Sequence, residues 1–188
     1  MFAFKRLLRS RRAVRRIVRP TGRERRFPDD EIIVTKTDLK GRITYANEVF
    51  LAVAGFREEE VIGQPHSIIR HPDMPRCLFQ VMWETIQRGE EIFAYVLNLC
   101  KNGDHYWVLA HVTPTFDHQG RIEAYHSNRR TAPERAVRRF ADLYRELKAI
   151  EDRHRDRRRG LAASRERFDA LVGRLDVSFN EWVLKEGA

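Results

Sequence analysis

Arg70, His71 and Asp73 share the six residues RHPDMP with Pro72 and Pro75, and a helical-looking run ending at Trp83 follows at once. At a helix start the unpaired backbone N–H groups and the positive end of the dipole favour an anionic group. Arg70 adds a planar guanidinium suited to a phosphate or to the face of a flat ring. Pro72 and Pro75 restrict the loop, so less entropy is lost when a ligand orders it. Together these residues describe one wall of a preorganised pocket for something flat and anionic. They also admit a purely structural reading, with Asp73 as the N-cap of the helix and Arg70–Asp73 as an ion pair.

Phe79 and Trp83 stand one helical repeat apart, where an aromatic either stacks on a ring or packs as core. Asn98 lies in a strand between Leu97 and Leu99. If buried, its amide needs partners, which the polar edge of a ring would supply; otherwise it faces solvent. Asn47, after TYA, and His66, after GQP, suit either a helix cap or a pocket lining. Other chemistry is thinner. The seven histidines include no H-x-x-x-H pair, which argues against a metal site. A single buried histidine would still suffice as an axial haem ligand, although no C-x-x-C-H attachment sequence exists. Cys77 and Cys100 fit neither a zinc site nor a disulfide framework and suit a reducing cytoplasm. There is no nucleophile elbow, paired-carboxylate motif or glycine-rich phosphate loop, so the expectation is a protein that is not an enzyme.

The elements that must position these residues follow from periodicity. EIIVTKTD and RITYAN read as strands joined by a turn, EVFLAVAGF and REEEVIG as short helices closed by glycine. RCLFQVMWETIQRG carries a helical apolar stripe that ends at Gly89. EIFAYVLNLC, the turn KNGD and HYWVLAHVTPTF give a hairpin, and DHQG turns the chain into a further strand, RIEAYHSNRR. This order predicts an α+β fold: a five-stranded antiparallel sheet with short helices on one face. From Pro133 onward two helical stripes predict two helices with a break near Gly160.

Of the formal net charge of +9, residues 1–26 carry more than all, with eleven Lys or Arg against the single acid Glu24. The other 162 residues hold 25 basic and 26 acidic side chains, so the body has no nucleic-acid footprint of its own. The basic arm places Phe4, Leu7, Leu8, Val14, Ile17 and Val18 near one helical face, with Pro20 ending the pattern. Such a helix lies on anionic lipid, caps the body, or packs on a partner; with no recognised motif for it, nucleic acid ranks last. No run of eighteen apolar residues is present and no secretory h-region opens the chain. The expected organisation is an arm and linker over 1–28, a sensor domain over 29–132 and a helical extension over 133–188.

The runs TDLKGRITYAN, GQPHSIIRHPDMP and KNGDHYWVLAHVTP closely resemble the PAS domain of bacterial aerotaxis receptors over about residues 31 to 131. The resemblance implies a PAS fold that binds FAD without a covalent bond and reports redox or oxygen status to a signalling partner. It carries cofactor binding onto Asn47, His66, Arg70, His71, Asp73, Phe79, Trp83 and Asn98. The receptors' transmembrane anchor and methyl-accepting coiled coil have no counterpart in these 188 residues, and LNLCKNGD replaces a more basic receptor sequence. The expectation is therefore a cytoplasmic sensor, peripheral at a membrane if the arm binds lipid, with a homodimer formed through its flanking helices. Two alternatives stay open: a haem-binding gas sensor, and a cofactor-free PAS module for assembly. Light-sensing PAS domains place their reactive cysteine in an Asn-Cys-Arg motif that is missing around Cys77.

Overall fold

The computed structural model describes residues 18–187. The amphipathic arm expected over residues 1–20 lies almost wholly outside them. Five antiparallel strands form the sheet: β1 (Ile33–Thr37), β2 (Ile43–Ala46), β3 (Ile92–Leu99), β4 (His105–Phe116) and β5 (Ile122–Thr131). Their spatial order is β2-β1-β5-β4-β3, so the first strand and the last pair at the centre. Between β2 and β3 come α1 (Glu48–Ala54), α2 (Glu58–Val61), a 3-10 turn at His66–Ile69, and α3 (Arg76–Gln87). α4 (Glu134–Asp152), α5 (Arg157–Val172) and α6 (Phe179–Gly187) follow the sheet.

Strand periodicity sorts the side chains. By strand parity Val96, Asn98, Ala110, Ser127 and Arg129 fall on the face that α3 covers. Tyr95 and Trp107, of opposite parity, meet the C-terminal helices on the other side. The Tyr95 ring centroid is 4.8 Å from that of Phe140, and Trp107 stacks on Tyr144 at 6.1 Å.

β3 is an outer strand, whose free backbone groups would otherwise template aggregation. Side chains cover them instead. Asn180 of α6 accepts from the Phe93 N–H at 2.9 Å and donates to the Glu91 carbonyl at 3.1 Å. The Tyr144 hydroxyl donates to the Tyr95 carbonyl at 2.7 Å. The extension thus completes the sheet's edge.

Three helices rather than two make up that extension, and the break falls at residues 153–156, before Gly160. Asp156 starts the new helix by accepting from the backbone N–H of Arg158 at 2.7 Å and of Arg159 at 3.1 Å, the usual N-cap chemistry. Gly160 sits inside α5 because α4 crosses there: a Cβ would lie 2.5 Å from the Glu151 carbonyl oxygen. A glycine that reads as a helix breaker is a crossing point.

Candidate functional site

A cavity of about 340 Å³ lies between α3 and the inner face of the sheet. That falls within the ~300–1,000 Å³ typical of ligand pockets. Val96, Ala110 and Val112 form its sheet side, and Phe79, Met82, Trp83 and Ile86 project from α3 at helical spacing. At the rim, Gly41 has φ +71°, and a Cβ there would come within 2.8 Å of the Trp83 ring. The glycine therefore serves both the turn and the tryptophan. Trp83 also stands edge-on to Tyr125 at 5.5 Å, which fixes one end of its indole.

The polar lining is small and specific. Asn98 is buried, and its amide Nδ2 has no hydrogen-bond partner. The same holds for the Ser127 hydroxyl and for Nη1 of Arg129. Buried polar atoms of native proteins are almost always paired, so three orphans facing one apolar slot describe a site for a ligand with polar edges. The other half of the Arg129 guanidinium is held: Nη2 donates to Thr35 Oγ1 at 2.5 Å and meets His66 Nε2 at 2.6 Å. Arg70 lies with its guanidinium carbon 3.7 Å above the Phe79 ring centroid. Lys40 stands at the exposed rim, and among the described residues no aspartate or glutamate lines the cavity.

Of the eight residues singled out from sequence, His66, Arg70, Phe79, Trp83 and Asn98 converge on this cavity. Asn47, His71 and Asp73 stand outside its lining. Asn47 caps α1: its Oδ1 accepts from the N–H groups of Phe50 and Val34, both at 3.0 Å, while its Nδ2 donates to the Ile32 carbonyl at 2.7 Å. His71 is buried edge-on to His105 at 6.0 Å. Asp73 is largely exposed, 3.6 Å from the His71 ring.

The corner RHPDMP does present a helix start to an anion, and the anion comes from the chain itself. The buried Glu151 carboxylate, on α4, accepts from the N–H of Arg76 at 2.7 Å and of Cys77 at 3.0 Å. It also takes Nε of Arg76 at 2.8 Å and the Ser164 hydroxyl at 3.0 Å. Asp73 does not cap α3; Pro75 occupies the N-cap and Glu151 satisfies the first turn. Neither cysteine lines the cavity, and burial pushes both thiols above their ordinary values.

Arg129, Ser127 and Thr35 are the site residues that sequence reading missed. Their signal was the alternation in RIEAYHSNRR, which puts Tyr125, Ser127 and Arg129 on one face. Glu151 had a signal too, since it continues the Leu143–Leu147 spacing on α4.

Residues 43–128 match the family described as PAS fold. Among solved structures, the light-state blue-light photoreceptor Aureochrome1 LOV aligns with a TM-score of 0.51 at 23% identity, covering 63% of this chain and 91% of its own. The structure titled "Flavin Analogue Sheds Light on Light-Oxygen-Voltage Domain Mechanism" aligns at 0.53 and 21%, covering 66% and 90%. At those identities the likeness is one of fold. The sheet with its covering helices therefore has the PAS fold.

Sequence relatives share part of the chain. The aerotaxis receptor of Escherichia coli (strain K12) is 42% identical over 121 residues, 64% of this chain and 24% of the receptor. The nitrogen fixation regulatory protein of Klebsiella pneumoniae is 28% identical over 50% of this chain and 19% of its own length. The biofilm dispersion protein BdlA of Pseudomonas aeruginosa is 33% identical over 45% and 21%. By their names these relatives are a receptor, a regulatory protein and a dispersion protein. The chain spans a quarter or less of the length of these relatives.

Proposed function

We propose that this domain is a redox sensor that binds a flavin, as FAD and without a covalent bond, in the cavity beneath α3. The observation that carries the reading is the set of orphaned polar atoms on Asn98, Ser127 and Arg129 in a slot otherwise walled by Val96, Ala110, Phe79 and Trp83. A flavin ring has broad apolar faces for Trp83 and Phe79 and a polar edge for the sheet groups. Bound there, it supplies reversible electron uptake; the chain binds, orients and reads it. Arg70 and the rim Lys40 favour the diphosphate of a dinucleotide, which is why FAD is preferred to FMN. The kinship with an aerotaxis receptor supports the same assignment. Haem fits less well, because Nε2 of His66 is engaged by Arg129.

α3 is the element placed to transmit the state of the ring. One face carries Phe79 and Trp83 into the cavity, while its first turn is held by Glu151 of α4 and Glu84 meets Arg165 of α5 at 2.6 Å. A ring that contacts two positions of α3 differently biases the C-terminal helices by that difference and no more. In this reading the output is a protein partner or a dimer interface on those helices, in the cytoplasm, with the basic arm available to anionic lipid.

The test is chemical. Denaturing the purified chain and chromatographing what it releases should yield FAD at about one per chain. Asn98→Ala and Trp83→Ala should each lower affinity for added FAD about tenfold, the effect of losing one buried hydrogen bond or one ring stack of ~1.4 kcal/mol. A wild-type chain that releases no flavin and takes up neither FAD nor FMN would refute the proposal.

A further inference from the structure

The corner where α4 gives way to α5 breaks the charge pattern of the two helices it joins. Along those helices arginines are paired: Arg138 with Glu134 at 2.7 Å, Arg145 with Asp142 at 2.8 Å, and Arg165 with Glu84 and Arg167 with Glu146, both at 2.6 Å. Residues 152–159 add Arg153, Arg155, Arg157, Arg158 and Arg159, and the whole segment is exposed. Among the described residues none of these five makes an ion pair. The two acids of the segment are engaged elsewhere. Asp152 pairs with Lys148, and Asp156 accepts from the backbone N–H groups of Arg158 and Arg159. Arg157, Arg158 and Arg159 also fill the first turn of α5, with no acid among them. The positive end of a helix dipole disfavours cations there, and guanidinium groups crowded on one short segment repel one another. Only the capping Asp156 offsets this. A local rule broken without a compensating partner inside the molecule points to a partner outside it, and that partner has to be anionic.

We propose that the α4–α5 corner is a docking surface for an anionic phospholipid membrane. No side chain of residues 152–159 is apolar, whereas a protein interface is built round a desolvated apolar or aromatic core. There is no aromatic ring on the segment to stack on a base, and the chain outside residues 1–26 balances 25 basic against 26 acidic side chains, too little excess charge to line a groove for a duplex. A plane of lipid phosphates asks for neither shape nor apolar core; it collects exposed cations by charge alone. It also engages separated basic elements at once, and the chain has a second one, the eleven Lys or Arg of residues 1–26. The corner is held firmly for such a role. Nη1 of Arg76 in α3 donates to the Arg157 carbonyl at 2.9 Å, and Glu151, next to the corner, is buried against the first turn of α3. A membrane docked there lies beside the start of the helix that walls the cavity.

The experiment sediments the full chain with vesicles of phosphatidylglycerol and phosphatidylcholine in equal parts, and with vesicles of phosphatidylcholine alone. The wild type should pellet with the anionic vesicles, come off them as salt is raised, and ignore the neutral ones. A chain carrying Arg155→Gln, Arg158→Gln and Arg159→Gln together should bind the anionic vesicles at least about tenfold more weakly. It should also melt no lower than the wild type, because the cations removed oppose the α5 dipole. The same three positions changed to Lys should bind like the wild type, since a headgroup plane reads charge and not the guanidinium fork. A glutamine variant that binds as tightly as the wild type overturns the proposal, for residues 1–26 would then carry all the attraction. So does a wild type that leaves the anionic vesicles unbound, or one that prefers duplex DNA to them at equal phosphate concentration. Both of these are read without any variant.

Discussion

His66 shares its Nε2 with the Arg129 guanidinium, so its imidazole has to stay neutral with the proton on Nδ1. Burial, and then the charges of Arg129 and Arg70, hold its pKa well below the ordinary 6.5. Above about pH 6.5 the ring is neutral in both the folded and the unfolded chain, and the group leaves stability unchanged. Below that the unfolded chain takes up the proton first, so stability falls with falling pH by up to about 1.4 kcal/mol per unit until the folded pKa is passed. Melting curves between pH 7.5 and 5 should therefore show a steeper loss for the wild type than for His66→Gln. Equal slopes would mean that neither burial nor the neighbouring guanidinium lowers the His66 pKa. At this scale the sequence showed the aromatic and amide partners clearly: Phe79 and Trp83 through helical spacing, Asn98 through its place between two leucines. It hid Arg129, because arginine in an alternating strand ordinarily marks the solvent face. Only pairing with β1 and β4 shows that β5 is central and that its charge is buried.

Among elements, α3 deserves a mutational test through its start rather than its cavity face. Glu151 joins the first turn of α3 to Ser164 of α5 by four hydrogen bonds, two of them from backbone N–H groups. Glu151→Gln preserves the shape but removes the charge and turns one acceptor into a donor. Breaking a buried charged pair in this way costs about 3 kcal/mol, readable as a lower urea midpoint. The same variant should weaken FAD binding, because the helix carrying Phe79 and Trp83 loses its anchor. A change below ~0.5 kcal/mol would show that α3 holds its position without α4. The strands and α1 to α3 were legible from periodicity and turn residues. The extension was less so. The polar run RHRDRRRG points to a break near Gly160, yet the close approach of α4 requires glycine there, and the interruption falls at the Asp156 cap. Likewise RHPDMP points to a helix start that meets an anionic ligand, whereas the anion there is Glu151, 75 residues away in sequence, in α4.

At the scale of the whole molecule, the sheet, its cavity and the C-terminal helices form one connected body. The helices seal the free edge of β3 and grip the first turn of α3. No helix among the described residues is long and apolar enough to cross a membrane. Under the proposed function, the cavity beneath α3, with its aromatic wall and its unpaired Asn98, Ser127 and Arg129 groups, holds a flavin. The most direct test of that claim is the absorption spectrum of the purified full chain, before and after anaerobic dithionite. The expected result is the two broad bands of an oxidised flavin, in the near ultraviolet and the blue, which bleach on reduction and return in air. A colourless protein that takes up no added flavin, or one with the single sharp Soret band of haem, would contradict it.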